Sequence, residues 1–489
     1  MKAKVLYILT GMLLCMAADA QVMSLDSCRA RALRANKQVG MARVQLDVAK
    51  NVRKSARTKY LPHIDLAGGY MYSSREISLL SDQQKQTISM MGTAAGSQIM
   101  PVANNFITEL VQNQALQAQT AQQLAGSLGQ MVSGLDGVGQ RIVDAFSTNT
   151  HNIFTASAVV TQPLFMGGAI TAGNRIADIS EKIAGEKIDA QENNVIYAVD
   201  NAYWTVVSLH HKQTLAGDYL ALVKKLDDDV HKMIREGVAT RADGLKVDVA
   251  VNEAEMAKTK VDNGLALAGM LVMQLCGMPL DSDVTLTDEA NEDLGTTVTS
   301  EQAAEEAFSH RAELQMLSNA IDIQRQQTKI ARAAYLPQVA LMGGVFFTNP
   351  SVYNGFERKF KGAFNVGVMV RMPLLDWGDN MYKIKAAKCA TTLAELAYGE
   401  ARELIELQVA QCNYRVREAS KNLASACKNI ERAEENLRCA DIGFREGVMQ
   451  TTDVMSAQTA WMQARTQKID AEIEAKLAES ALQKAVGKL

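Results

Sequence analysis

The sequence predicts a mainly α-helical chain with a smaller membrane-spanning β part, built by duplication of one helix–strand–strand–helix unit. Three observations lead there: residue patterns that recur at a constant offset, two very long stretches without proline, and four short segments that alternate apolar with polar residues.

The duplication carries the most weight, because self-similarity decides architecture before any local pattern does. Tyr60-Leu61-Pro62 with Gly68-Gly69 recurs as Tyr335-Leu336-Pro337 with Gly343-Gly344, an offset of 275. Pro163-Leu164 with Gly168 recurs as Pro373-Leu374 with Gly378, at an offset of 210. Arg235-Glu236-Gly237 then Asp243 recurs as Arg445-Glu446-Gly447 then Asp453, again at 210, and so does Gly277 as Gly487. The drop from 275 to 210 places 65 extra residues in the first copy, in a segment spanning about 81–148. The first copy is expected over 21–280 and the second over 281–489.

The elements follow in order. Lys2 and Lys4, the apolar stretch from Val5 to Ala17, and Ala18-Asp19-Ala20 read as a secretory leader spanning 1–20, cleaved after Ala20. Leu13-Leu14 before Cys15 disfavours a lipoprotein. A helix is expected from Leu25 to Lys59, with Ser24 or Asp26 as N-cap and the Tyr-Leu-Pro break as its end. Ile64, Leu66, Tyr70 and Tyr72 then share one face of a strand. The insertion is glutamine-rich, and Phe106, Leu110 and Val111 mark one short amphipathic helix, with Ile142, Val143 and Phe146 marking another. A second strand has Phe154, Ala156, Ala158 and Val160 alternating with Thr155, Ser157 and Thr161, and its counterpart has Phe364, Val366, Val368, Val370 and Met372 on one face. Such alternation over about ten residues suits a tilted strand crossing a bilayer.

No proline interrupts Gly168 to Gly237 or Gly378 to Gly447, and a helix of that length would run roughly 100 Å. Ile196, Val199, Tyr203 and Val206 recur at coiled-coil spacing within it. A shorter helix from Thr240 to Cys276 follows, stopped by Gly277 and Pro279. The two shorter helices of a copy sum to the length of the long one, so placed end to end they match it. Four strands are too few for a barrel, which needs about eight, and open edges inside a bilayer leave backbone groups unsatisfied. Several chains are therefore expected to share one barrel.

Composition narrows the function. With 47% hydrophobic and 21% charged residues the chain is neither disordered nor collagen-like, and a net charge of −3 gives no footprint for nucleic acid. Cys28, Cys276, Cys389, Cys412, Cys427 and Cys439 form no CxxC pair and have no histidine at metal-ligand spacing. They read as small buried helical residues. His210-His211 read as packing or lining residues, and Asp227-Asp228-Asp229 as a solvated face. Phosphate loops, nucleophile elbows and HExxH are missing, so no catalytic, cofactor or metal residue is nominated and the chain is read as not an enzyme.

Taken together, the Tyr-Leu-Pro marks, Gln162-Pro163-Leu164-Phe165-Met166-Gly167-Gly168, Pro373-Leu374-Leu375-Asp376-Trp377-Gly378 and the run Phe444–Gln458 resemble the TolC-like family of outer-membrane efflux and secretion channels. The resemblance implies a homotrimer whose twelve-stranded barrel in the outer membrane of a Gram-negative bacterium continues into a twelve-helix periplasmic tunnel. It implies a passive duct, coupled through a periplasmic adaptor (membrane fusion) protein to an inner-membrane transporter of RND, ABC or MFS type. It places the adaptor-contact turns at Arg235, Gly237, Asp243, Arg445, Gly447 and Asp453, and the strand-to-helix motifs at Pro163, Gly168, Pro373 and Gly378. Asp453 matches a position that forms a carboxylate ring at the periplasmic entrance, whereas Ser456 departs from the second acidic residue of some members. The bland reading of Asp243 and Asp453 is helix capping. By the same topology the insertion lies on the cell exterior, as a surface loop or a cap. Type I protein secretion is the neighbouring alternative. A periplasmic coiled-coil or adaptor protein is the alternative of another class, sharing the long helices but not four amphipathic strands.

Overall fold

The computed structural model describes residues 21–74, 78, 80–113, 117–147, 150–282, 284–291, 304–351 and 357–489. The expected leader, with Cys15, lies outside the described residues. In order, the elements are β1 (Gln21–Met23), α1 (Leu25–Ala35), α2 (Lys37–Thr58), β2 (His63–Tyr72), α3 (Asp82–Ser89), α4 (Met91–Gln112), α5 (Ala118–Phe146), β3 (Asn152–Met166), α6 (Ala169–Arg235), α7 (Arg241–Leu275) and β4 (Val284–Leu286). They continue as α8 (Ala304–His310), α9 (Ala312–Ala333), β5 (Gln338–Asn349), β6 (Lys361–Arg371), α10 (Asp379–Arg445) and α11 (Thr451–Val486). The chain divides into a helical unit, 1–56, 171–331 and 378–489, and a strand unit, 57–170 and 332–377. Each unit draws on both halves of the sequence.

In the helical unit, α6 and α10 are both 67 residues long and begin 210 residues apart. That length is possible because neither contains proline and both are rich in alanine. The expected single helix from Leu25 to Lys59 is instead broken at Asn36, whose backbone is extended and whose carboxamide oxygen accepts the Gln38 amide at 2.8 Å. An Asx residue that satisfies a backbone donor in this way competes with helix continuation. The equivalent helix of the second copy breaks at Arg311, 275 residues on, whose guanidinium donates to Gln408 and to the Ala485 carbonyl. Ser24, rather than Asp26, is the N-cap of α1.

Helix α2 runs antiparallel to the first half of α6, tied by Arg43–Glu192 and Arg53–Glu181, and α7 runs antiparallel to its second half, tied by Lys224–Glu255 and Gln213–Asp262. The end-to-end arrangement follows, and the ends meet where a Cβ on Gly277 would lie 2.6 Å from Ala35. The main core forms there from Cys28, Ala32, Val39, Val199, Tyr203, Val206, Val207, Val272 and Cys276, with Ile473 of α11. Val199, Tyr203 and Val206 of the expected coiled-coil row are buried, and the row's Ile196 is half-buried. Tyr203 spends its hydroxyl on Asp288, and Arg29 grips the fully buried Asp200 through two bonds of 2.7 Å.

The strand unit holds an antiparallel sheet in the order β2-β3-β5-β6. Its register puts Ile64 opposite Val160, Leu66 opposite Ala158, Val345 opposite Phe364 and Leu341 opposite Val368, so all four strands share one apolar face. Phe154, Phe347, Val366 and Val370 complete that face. The other face carries His63, Asp65, Thr155, Ser157, Thr161, Asn365 and Arg371, with glycines between. The apolar face is bare: Leu66 and Phe364 are 83% and 82% exposed. Both outer strands, β2 and β6, offer an unpaired edge among the described residues. No helix among the described residues is long and apolar enough to cross a membrane.

Within the insertion, the two short helices expected around Phe106–Val111 and Ile142–Phe146 belong to longer ones, α4 and α5, with α3 before them. Small residues explain the gain in length, because Gly92 and Gly139 let α5 meet the backbone of α4 and α3, and Gly96 makes room for the Val132 side chain. A Cβ on Gly139 would lie 2.0 Å from the Ile88 carbonyl oxygen. Asp136 clamps the pairing by accepting from the Thr93 amide at 2.9 Å and from its hydroxyl.

Candidate functional site

The residues nominated as turns lie at one end of the helical unit. Helix α6 ends at Arg235, and Gly237 takes φ +76°; α10 ends at Arg445, and Gly447 takes φ +75°. A left-handed residue just after a helix is the role glycine fills without steric cost. In both turns the next amide reaches back to the helix, Val238 to the Met233 carbonyl at 2.8 Å and Val448 to the Gly443 carbonyl at 2.9 Å. Side chains of both hairpins then interlock: Val223, Leu226, Val230 and Val247 of the first with Ala440, Phe444, Val454 and Ala457 of the second. This cluster places the Arg235 to Asp243 turn beside the Arg445 to Asp453 turn.

Asp243 and Asp453 both take part in helix caps. The Asp243 carboxylate accepts from the Thr240 amide at 3.3 Å and hydroxyl at 2.6 Å, while its own amide donates back to the Thr240 hydroxyl. The Thr240 hydroxyl, followed by its amide, holds the Asp243 carboxyl below the usual carboxylate range. Asp453 accepts from the Gln450 amide at 3.1 Å. Capping uses one carboxylate edge only, and Asp453 remains exposed. Arg445 pairs with Asp441, whereas Arg235 is exposed on the first turn.

Two grooves border these turns, and the sequence reading names neither. One, of about 370 Å³, runs between α6 and the second hairpin, with Lys225, Asp229, Glu434, Arg438, Gln458 and Trp461 on its walls. The other is more apolar, between Leu245 and Val249 of α7 and Met455 and Thr459 of α11. Their residues come from helices more than two hundred positions apart, so no local pattern marks them.

At the strand-to-helix motifs, Pro163 sits in β3 beside an irregularity of register before Phe165. Gly168 and Gly378 have φ +85° and +88°, and Gly378 is the N-cap of α10. The tightest constraint falls one residue before Gly168, on Gly167, where a Cβ would lie 2.6 Å from the Ala333 carbonyl oxygen. Its counterpart Trp377 keeps a positive φ of 51° and is 89% exposed. Tyr60, Leu61, Leu164, Phe165, Leu374 and Trp377 form an exposed aromatic and apolar group where strands give way to helices, the composition found at a membrane–water interface.

Residues 303–488 match the sequence family described as outer membrane efflux protein. No curated protein matches the chain in sequence. Among solved structures, the outer-membrane channel OprN is similar with a TM-score of 0.72 at 15% identity, over 95% of this chain and 90% of that one. VceC, an outer membrane protein of Vibrio cholerae, is similar with a TM-score of 0.70 at 16% identity, over 95% and 96%. The open state of the MtrE outer membrane channel of Neisseria gonorrhoeae gives 0.68 at 16%, over 95% and 88%. The fold is therefore that of the outer-membrane efflux channels.

Proposed function

We propose that this chain is the outer-membrane channel subunit of a tripartite efflux pump, a passive duct that draws its energy from an inner-membrane transporter. The sheet carries the reading: four strands with a bare apolar face and two open edges are stable in a bilayer only when the edges pair with further copies. Three copies give a twelve-stranded barrel, the size the resemblance implies, with the face of Asp65, Thr155, Ser157 and Asn365 turned to the lumen. The repeats over 21–280 and 281–489 and an exterior position for the insertion belong to the same proposal. Cysteines introduced at Leu66 and Val368, one near each open edge, are expected to cross-link chains into a trimer in detergent extracts of outer membrane, and the reconstituted protein to conduct ions. A monomer in the soluble fraction would overturn the reading and favour a periplasmic coiled-coil protein.

The turns at Arg235, Gly237 and Asp243 and at Arg445, Gly447 and Asp453 are read as the surface that meets a periplasmic adaptor, with the two grooves beside them. Asp453 is read as the entrance ring, since its second carboxylate edge stays free when Gln450 uses the first. Three carboxylates in a narrow pore attract cations and are screened only partly. Asp453→Ala is expected to lower cation selectivity and weaken block by divalent ions in single-channel recording. Unchanged selectivity and unchanged block would leave Asp453 a cap alone.

A further inference from the structure

Three side chains of the first hairpin converge about two turns short of its tip. Asp227 and His231 stand four residues apart on α6, one above the other on the same face, and Asp248 faces them from α7. One ligand atom from each can be chosen so that all three lie within 4.8 Å of one another. The His231 Nδ1 donates to the Asp227 main-chain carbonyl at 3.0 Å, so that in the neutral ring Nε2 is the lone-pair donor, 4.0 Å from the Asp248 carboxylate. An imidazole oriented through its other nitrogen by a carbonyl is the usual preparation of a metal ligand.

Two further observations separate this group from an ordinary charged surface. The Asp227 Oδ1 is withdrawn from solvent, with the His231 Nδ1 beside it at 3.1 Å and the carboxylate of Asp248 near enough to repel it. Among the described residues, His231 is the one basic side chain paired with either carboxylate, while the neighbouring lysines are taken by Asp229, Asp243 and Glu255. The turn itself does not need the group. At the equivalent positions of the second hairpin stand Leu437, Asp441 and Gln458, although that hairpin keeps the same glycine turn and Asp cap. What the first hairpin has in addition is Gly244, whose missing side chain lets α7 approach Ile234 and His231 closely enough to present Asp248 one turn on. The solvated face expected for Asp227 to Asp229 thus holds for Asp228, while Asp227 turns inward to its neighbours.

We propose that Asp227, His231 and Asp248 form a binding site for a divalent transition-metal cation that clamps α6 to α7 near the turn. One imidazole and two carboxylates suit zinc or a similar borderline cation, with water completing the shell. The inference stands on the hairpin alone and does not depend on the channel reading.

The test is calorimetric titration of the full-length, untagged chain in detergent with Zn(II). One ion per chain is expected, with affinity weakened at least tenfold in His231→Ala and in Asp248→Asn. Absence of binding by the wild type, or binding unchanged in either variant, overturns the site. In case a variant fails to assemble, the wild type provides a second measurement: Zn(II) should protect His231 from diethyl pyrocarbonate more than the other five histidines. Equal labelling of all six with and without the ion would also overturn it.

Discussion

Val366→Arg is expected to remove the chain from the outer membrane. Val366 lies at the middle of β6, on the apolar face shared with Phe364, Val368 and Val370, and is 72% exposed. If that face meets lipid, an arginine at mid-bilayer costs about 2–4 kcal/mol per chain, and the cost recurs in every copy that joins the barrel. Flotation of membranes and heat-modifiable migration report the loss. Asn365→Arg is the control: it is adjacent in sequence but on the opposite face, and in a water-filled lumen it is expected to leave assembly intact. Normal assembly of Val366→Arg, or equal damage from both, would show that the apolar face is covered by something other than lipid.

Arg29→Ala should be the most damaging change in the helical core. The Asp200 side chain is fully buried, and Arg29 holds both of its oxygens at 2.7 Å across 171 positions of sequence. Removing the arginine strands a charge without solvent or partner, a loss of about 3–5 kcal/mol. Arg29→Lys keeps the charge but gives up the two-pronged geometry, so it should fall between. Replacing both residues together, as Arg29→Met with Asp200→Leu, is expected to recover most of the stability, since a well-packed apolar pair often matches a buried ion pair. Denaturant unfolding of the detergent-solubilised chain measures the series. A cost below about 1 kcal/mol for Arg29→Ala would place the pair among exposed ion pairs instead.

Much of the fold is local and was therefore legible. The 67-residue helices follow from absent prolines, their ends from Gly237 and Gly447, and their restarts from Thr240 with Asp243 and Gln450 with Asp453. Strand faces follow from alternation, because a strand's side chains point to opposite sides in turn. Breaks at Asn36 and Arg311 were less legible, since either residue sits comfortably inside a helix elsewhere and what decides is a hydrogen bond made locally or far away. The insertion was underestimated for a related reason: its helices depend on glycines meeting backbone, a contact that reads in sequence as helix-breaking.

Residue spacing over a few positions, repeated at two constant offsets, was sufficient to establish element type, the length of the two longest helices, capping and duplication, because each depends on neighbours within one or two turns. Partners across the fold were settled only by packing in three dimensions. Nothing local pairs β3 with β5, Arg29 with Asp200, or Asp248 with His231, or brings the two turns to one end around Phe444 and Val454. Those choices lie with burial and charge satisfaction over the whole unit, where an apolar stripe or a buried carboxylate must find what covers it. The sites proposed here for an ion, an adaptor and a lipid face arise from these pairings.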